Sequence, residues 1–190
     1  MNICLIGAAG NGKTTLAEAL VEQRGYTRLS FATPVKELSV DVYNLIAEYI
    51  GEPTITKEHF HANKGDYRTL MQVVGTELGR DMFRESVWVD EAVKRIGEIQ
   101  TPVVIDDCRF INELDSLLRL GFVPFYIYRF PHNMEHSSES LDYSRLAQYM
   151  FSTGRRDFQF WGNTKSLDVS ITEFIDLVDR LTNVRNGAIV

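Results

Sequence analysis

Apolar positions along this chain recur in two periods. Asn2-Ile3-Cys4-Leu5-Ile6 is an apolar run of strand length, and after a glycine-rich gap Thr14 to Gln23 repeats Leu16, Ala17, Leu20 and Val21 at helical spacing. Gly25 ends that pattern, and Tyr26 to Phe31 predicts a second short strand. Thr33-Pro34 reads as an N-cap followed by proline at the first helical position, and Val35, Leu38, Val42, Leu45, Ile46 and Tyr49 carry the helix to Gly51. Glu52 to Gly65 is polar and broken by Pro53, which predicts a surface loop. Tyr67 to Arg80 and Val87 to Glu98 read as helices, the second capped by Ser86. Thr101 to Ile105 is an apolar strand, Asn112 to Leu120 a helix closed by Gly121, and Phe122 to Tyr128 a fourth strand. Phe130 to Glu139 has the composition of a mobile loop, and a helix over Tyr143 to Phe151 precedes a fifth strand, Asp157 to Trp161. Ser170 is expected to cap a last helix to Leu181, with Phe174, Ile175, Val178 and Leu181 inward and a frayed tail beyond Asn183.

Strands alternating with helices predict an α/β fold of three layers, α/β/α, around a five-stranded parallel sheet, with the ligand site at the carboxyl ends of the strands. The expected organisation is one domain over residues 1–190, with a polar insertion at 52–66 and a lid-like segment at 129–143. With 190 residues, 44% of them hydrophobic and 24% charged, the chain is expected to be globular and soluble. No apolar run approaches the roughly 18 residues of a membrane span, and neither a charged leader nor a cleavage site precedes the first strand, so a cytoplasmic protein is expected. Two cysteines, Cys4 and Cys108, suit a reducing compartment. A net charge of −6 argues against a broad electrostatic grip on nucleic acid.

The gap between the first strand and the first helix changes the picture. Gly7-Ala8-Ala9-Gly10-Asn11-Gly12-Lys13-Thr14 fits G-x-x-x-x-G-K-[ST] and sits in the strand-loop-helix context that this pattern requires. Its glycines let successive backbone N–H groups turn around a phosphate, and the helix start, with Thr15 next in line, adds unpaired donors and partial positive charge. Lys13 can reach the β- and γ-phosphates, and the Thr14 hydroxyl is placed to ligate Mg²⁺. A plain glycine turn explains neither the lysine nor the hydroxyl after it. Asp106-Asp107 follows the third strand, where such a protein holds its metal, although either residue could instead cap the next helix. Arg68, Gln72, Thr76 and Arg80 recur every four residues, so they stack on one helical face; its two arginine forks suit phosphate oxygens, although a solvated face is the usual meaning of such a stripe. Lys36 in a first helical turn is either solvated or in contact with an anion. Trp88 reads as packing rather than as a base platform, and His59 with His61 lacks the further ligands of a tetrahedral metal set.

Several blocks carry a family resemblance. Phe31-Ala32-Thr33-Pro34-Val35-Lys36-Glu37, the stretch Arg68 to Arg80 with Trp88 beyond it, Asp107-Cys108-Arg109-Phe110-Ile111-Asn112-Glu113 and His136-Ser137-Ser138-Glu139 resemble successive motifs of the bacteriophage deoxynucleoside monophosphate kinases. The resemblance runs from Ile3 to about Glu139. It implies a P-loop nucleoside monophosphate kinase fold, ATP and Mg²⁺ as cosubstrate and cofactor, a deoxynucleoside monophosphate as acceptor and a homodimer. It further implies that Lys13 and the loop hold the donor phosphates, that Thr14 and Asp107 hold Mg²⁺, and that Arg68 and Arg80 grip the acceptor phosphate. Gln72 and Trp88 would place its base or sugar; Arg109 and Arg129, which lie beyond strand ends, could meet the transferring group, and Glu139 would belong to the lid. Three rivals stay open: a P-loop kinase of another small metabolite, such as dephospho-coenzyme A or shikimate, a nucleotide switch or sensor, and an assembly ATPase, which would need an arginine finger from a neighbour. A GTPase is disfavoured because neither a D-x-x-G after a strand nor an N-K-x-D occurs.

Overall fold

The computed structural model describes residues 1–129, 143–162 and 165–187. Five strands, β1 (Ile3–Ile6), β2 (Thr27–Leu29), β3 (Val103–Ile105), β4 (Val123–Tyr128) and β5 (Gln159–Gly162), form one sheet in the order β2-β3-β1-β4-β5. Every pairing is parallel, with Ile3 opposite Val104 and Val123, and Arg28 opposite Val104. Ile3 and Leu5 join one core with Val104, Phe125 and Ile127 of the sheet, Leu16 and Leu20 of α1 (Lys13–Arg24), and Phe174 and Val178 of α8 (Leu167–Arg185). Cys4 and Ile6 alternate with them and are just as fully buried, so β1 is covered on both faces, as a parallel sheet requires. This is the predicted α/β class, with α6 (Ile111–Arg119) and α7 (Tyr143–Thr153) completing the helices outside the region 31–95.

The chain divides into two compact units, Met1–Ser30 with Ile96–Val190, and Phe31–Arg95. The second is helical: α2 (Ala32–Ile50), α3 (Lys57–Ala62), α4 (Arg68–Gln72) running into a π-helical segment (Val73–Phe83), and most of α5 (Val87–Glu98). Among the described residues no helix is long and apolar enough to cross a membrane.

Three expectations are corrected here. The polar stretch 52–65 contains the helix α3, because the Thr56 hydroxyl accepts the His59 N–H (3.1 Å) and Phe60 is fully buried, stacked on Tyr67 at a centroid distance of 4.7 Å. Residues 73–83 are π- rather than α-helical. The wider turn leaves the Gly75 carbonyl to the Trp88 indole N–H (2.7 Å), while the Trp88 ring occupies the space beside Gly79, where a Cβ would lie 2.5 Å from it. The last helix starts at Leu167, so Ser170 lies inside it rather than at its cap, and it reaches Arg185, whose guanidinium holds the Gly121 carbonyl (3.3 Å).

Candidate active site

The loop between β1 and α1 is built from backbone geometry that only glycine enters cheaply. Gly7, Gly10 and Gly12 have φ of 136°, 79° and 88°, and a Cβ on Gly7 would lie 2.2 Å from the Ile127 carbonyl oxygen. That carbonyl also accepts the buried Asn11 side-chain amide (3.0 Å), which fastens the loop to the end of β4. No side chain caps α1 and no acidic residue sits in its first turn, so its N–H groups and partial positive charge are presented to an anion.

Lys13 folds over this loop, and its ammonium donates to the Gly7 and Ala8 carbonyls (2.7 and 2.8 Å). Burial holds its pKa below the usual lysine range, helped by Arg109 and opposed by Asp106 and Asp107. Thr14 donates its hydroxyl hydrogen to Asp106 Oδ2 (2.7 Å). Asp106 follows the buried strand β3, and only 3% of its side-chain surface is exposed. Arg28 from β2 meets the same carboxylate with two nitrogens, Nε to Oδ1 (3.1 Å) and Nη2 to Oδ2 (2.8 Å), and turns its third toward Glu18 (3.3 Å). The carboxylate paired with the loop hydroxyl is thus Asp106, whereas Asp107 accepts the Ser30 hydroxyl (2.6 Å).

Neither aspartate caps the following helix. Glu113, itself buried, reaches back from α6 to accept the N–H groups of Arg109 (2.8 Å) and Phe110 (3.1 Å). That fixes the turn from which the exposed Arg109 side chain leaves, and Arg129 is likewise exposed just past β4. Glu139 and His136, with most of the 129–143 segment, lie outside the described residues.

The other sequence-predicted residues fall in the second unit. Because α2 starts at Ala32, with Phe31 rather than Thr33 at the N-cap position, Lys36 falls in its second turn, half-buried; Arg68 and Gln72 are exposed on α4; Thr76 and Arg80 are on the π-helical segment, Arg80 half-buried. Arg68 has no side-chain hydrogen bond or ion pair among the described residues. Trp88 is buried, and its contacts named above are to Gly75 and Gly79. The sequence reading missed Arg28 altogether. A lone arginine in a short strand carries no local signal, and only the pairing of β2 with β3 brings it to Asp106.

The donor set fits magnesium rather than a metal caged by protein. Among the described residues no group of three or more His, Cys, Asp or Glu could hold an ion alone, while a loop hydroxyl beside a carboxylate suits an ion that keeps waters and phosphate oxygens as its other ligands.

Over 138 residues, 63% of this chain, the sequence is 30% identical to a protein of Acanthamoeba polyphaga mimivirus described as a deoxynucleotide monophosphate kinase, and covers 69% of it. The chain belongs to the deoxynucleotide monophosphate kinase family. A second member, the deoxynucleoside-5'-monophosphate kinase of Escherichia phage T5, is 27% identical over an alignment covering 72% of this chain and 82% of that one. No family model matches the chain. Among solved structures, the dephospho-CoA kinase from Campylobacter jejuni superposes with a TM-score of 0.51 at 10% identity, covering 99% of this chain and 98% of that one, which places this family member in the P-loop kinase fold.

Proposed function

We propose that this chain transfers the γ-phosphoryl group of ATP to a deoxynucleoside monophosphate, giving the diphosphate and ADP. The observation that carries the reading is the Thr14–Asp106 hydrogen bond at a glycine-lined loop, in a member of this family. The bond from the γ-phosphorus to its bridging oxygen breaks as a bond to an acceptor phosphate oxygen forms. That attacking oxygen is already anionic, so the protein's task is positioning, charge neutralisation and exclusion of water.

In this reading Gly7, Ala8, Ala9, Gly10, Asn11, Gly12, Lys13, Thr14 and Thr15 receive the phosphates of ATP. Lys13 exchanges its two loop carbonyls for phosphate oxygens. Thr14 would hold Mg²⁺, with Asp106 orienting its hydroxyl and Asp107 adding negative charge close by. Bound there, Mg²⁺ would supply positive charge to offset that of the phosphates. Arg109 and Arg129 stabilise the phosphoryl group in transit. Arg68 and Arg80 grip the acceptor phosphate, Gln72 its sugar or base, and Lys36 adds a cation toward it. Trp88 serves this site by packing against Gly79, one residue before Arg80. The enzyme acts as a cytoplasmic homodimer.

The test is a coupled ADP-release assay with ATP and Mg²⁺ against the four deoxynucleoside monophosphates, their ribonucleotide counterparts and a control without acceptor. Turnover that requires a deoxynucleotide supports the reading. ADP release without acceptor, or silence across the panel, overturns it.

A further inference from the structure

We infer that Arg28 is a positioning residue for the metal-binding hydroxyl of the loop, acting through Asp106; this rests on the reading that Thr14 meets the Mg²⁺ of bound ATP. The residues form a chain of contacts in which each atom is committed. Asp106 Oδ1 takes Arg28 Nε, and Oδ2 takes both Arg28 Nη2 and the Thr14 hydroxyl. A two-point fork fixes the plane of a carboxylate, which a single point charge does not. A hydroxyl has one hydrogen, and that of Thr14 is directed at Oδ2, so its lone pairs are left for a ligand. The carboxylate is almost wholly buried, and Arg28 is the cation in direct ion-pair contact with it. Asp106 without the fork is free to rotate, and the Thr14 hydroxyl loses its fixed orientation.

Arg28 also carries charge, and its charge and its geometry act on a metal in opposite directions. Removing the positive charge bares Asp106 and attracts a divalent ion; removing the fork disorders the ligand. Arg28→Lys separates them, because it keeps the charge and loses the fork. The experiment uses the purified full chain with ATP and Mn²⁺ in place of Mg²⁺, reading bound ion by electron paramagnetic resonance, and measures ATP affinity separately in EDTA. Arg28→Lys is expected to weaken Mn²⁺ binding to the ATP complex roughly tenfold, the size typical of lost support behind a metal ligand, with ATP affinity in EDTA within about twofold of the parent chain. Asp106→Asn gives the second arm. The double variant is expected to lose no more than the larger single loss, because the two residues act in series.

Metal affinity unchanged in Arg28→Lys, an equal loss of ATP affinity in EDTA, or additive losses in the double variant each overturn the inference. A parent chain to which metal adds nothing over ATP alone instead overturns the Thr14 reading beneath it. Acceptor chemistry does not enter the measurement. If Arg28→Lys fails to fold, Arg28→Gln replaces it: weaker Mn²⁺ binding, against the attraction of the bared charge, supports the inference, and unchanged or tighter binding overturns it.

Discussion

At the scale of single residues, the glycine loop holds its lysine on partners that a ligand can replace. The Lys13 ammonium rests on two backbone carbonyls rather than on an acid. Lys13→Ala is expected to cut phosphoryl transfer by at least about a hundredfold, the effect of losing one preorganised charge at a developing anion, while the melting temperature barely moves. Arg68 differs in having no partner among the described residues. Arg68→Ala should raise the KM for the deoxynucleotide roughly ten- to a hundredfold, as for a lost charge-assisted hydrogen bond, and leave the KM for ATP unchanged. An unchanged acceptor KM would mean that the stripe is only a solvated face. The loop was legible in the sequence because its glycines, lysine and hydroxyl are fixed by local spacing. Asp106 against Asp107 was not, because the answer depends on strand register. Arg28 sits opposite Val104, and Asp106 lies two residues beyond Val104, so the alternation of a strand sends both side chains to one face.

At the scale of elements, the π-helical segment shows why a periodic stripe is an incomplete guide. The apolar and polar positions of Tyr67 to Arg80 suit an α-helix, yet Gly75 and Gly79 allow Trp88 to press against the turn and take a carbonyl from it. That contact joins residues 13 apart, and nothing in the local pattern announces it. Two substitutions test its weight. Gly79→Ala puts a methyl group into the tryptophan ring and is expected to destabilise the fold by about 1–3 kcal/mol, the usual effect of overpacking. Trp88→Phe keeps a ring but leaves the Gly75 carbonyl unmatched, for a similar loss of about 1–3 kcal/mol. Both are read by chemical denaturation, and both should raise the acceptor KM through Arg80 without changing the KM for ATP. The helix α3 escaped the sequence reading for the opposite reason, since six mostly polar residues hide a single anchoring side chain, Phe60.

At the scale of the whole molecule, the five-stranded parallel sheet was legible as a class from alternating strands and helices, whereas the strand order β2-β3-β1-β4-β5 comes only from the fold. What the fold adds is a pH dependence. Burial raises the thiols of Cys4 and Cys108 above their ordinary range, Tyr26 is pushed up to about 12 by burial and Asp179, and Tyr149 up to about 12 by burial and its hydrogen bond to Asp115. Each group is held neutral in the fold and ionises more readily in the unfolded chain. Its stabilisation is therefore complete below the unfolded pKa and is lost as pH rises toward the folded one. The amino terminus and Lys13, both lowered chiefly by burial, work in the opposite sense just below their ordinary values. Stability should thus fall once pH passes about 9, each buried thiol contributing up to about 1.4 kcal/mol per pH unit, and fall faster above about 10 as the phenols join. Melting curves from pH 7 to 11 check this; a flat profile above pH 9 refutes it.

The sheet ends on β2, three residues long, with Arg28 at its centre, and on β5, four residues long. A long, flat, apolar rim would invite a stranger's backbone to add itself and start a fibre; a rim this short, with a guanidinium midway along it, offers almost no template. Arg28→Val would thus act on the molecule twice, by leaving the buried Asp106 without its fork and by putting a β-branched apolar residue at the centre of an edge strand.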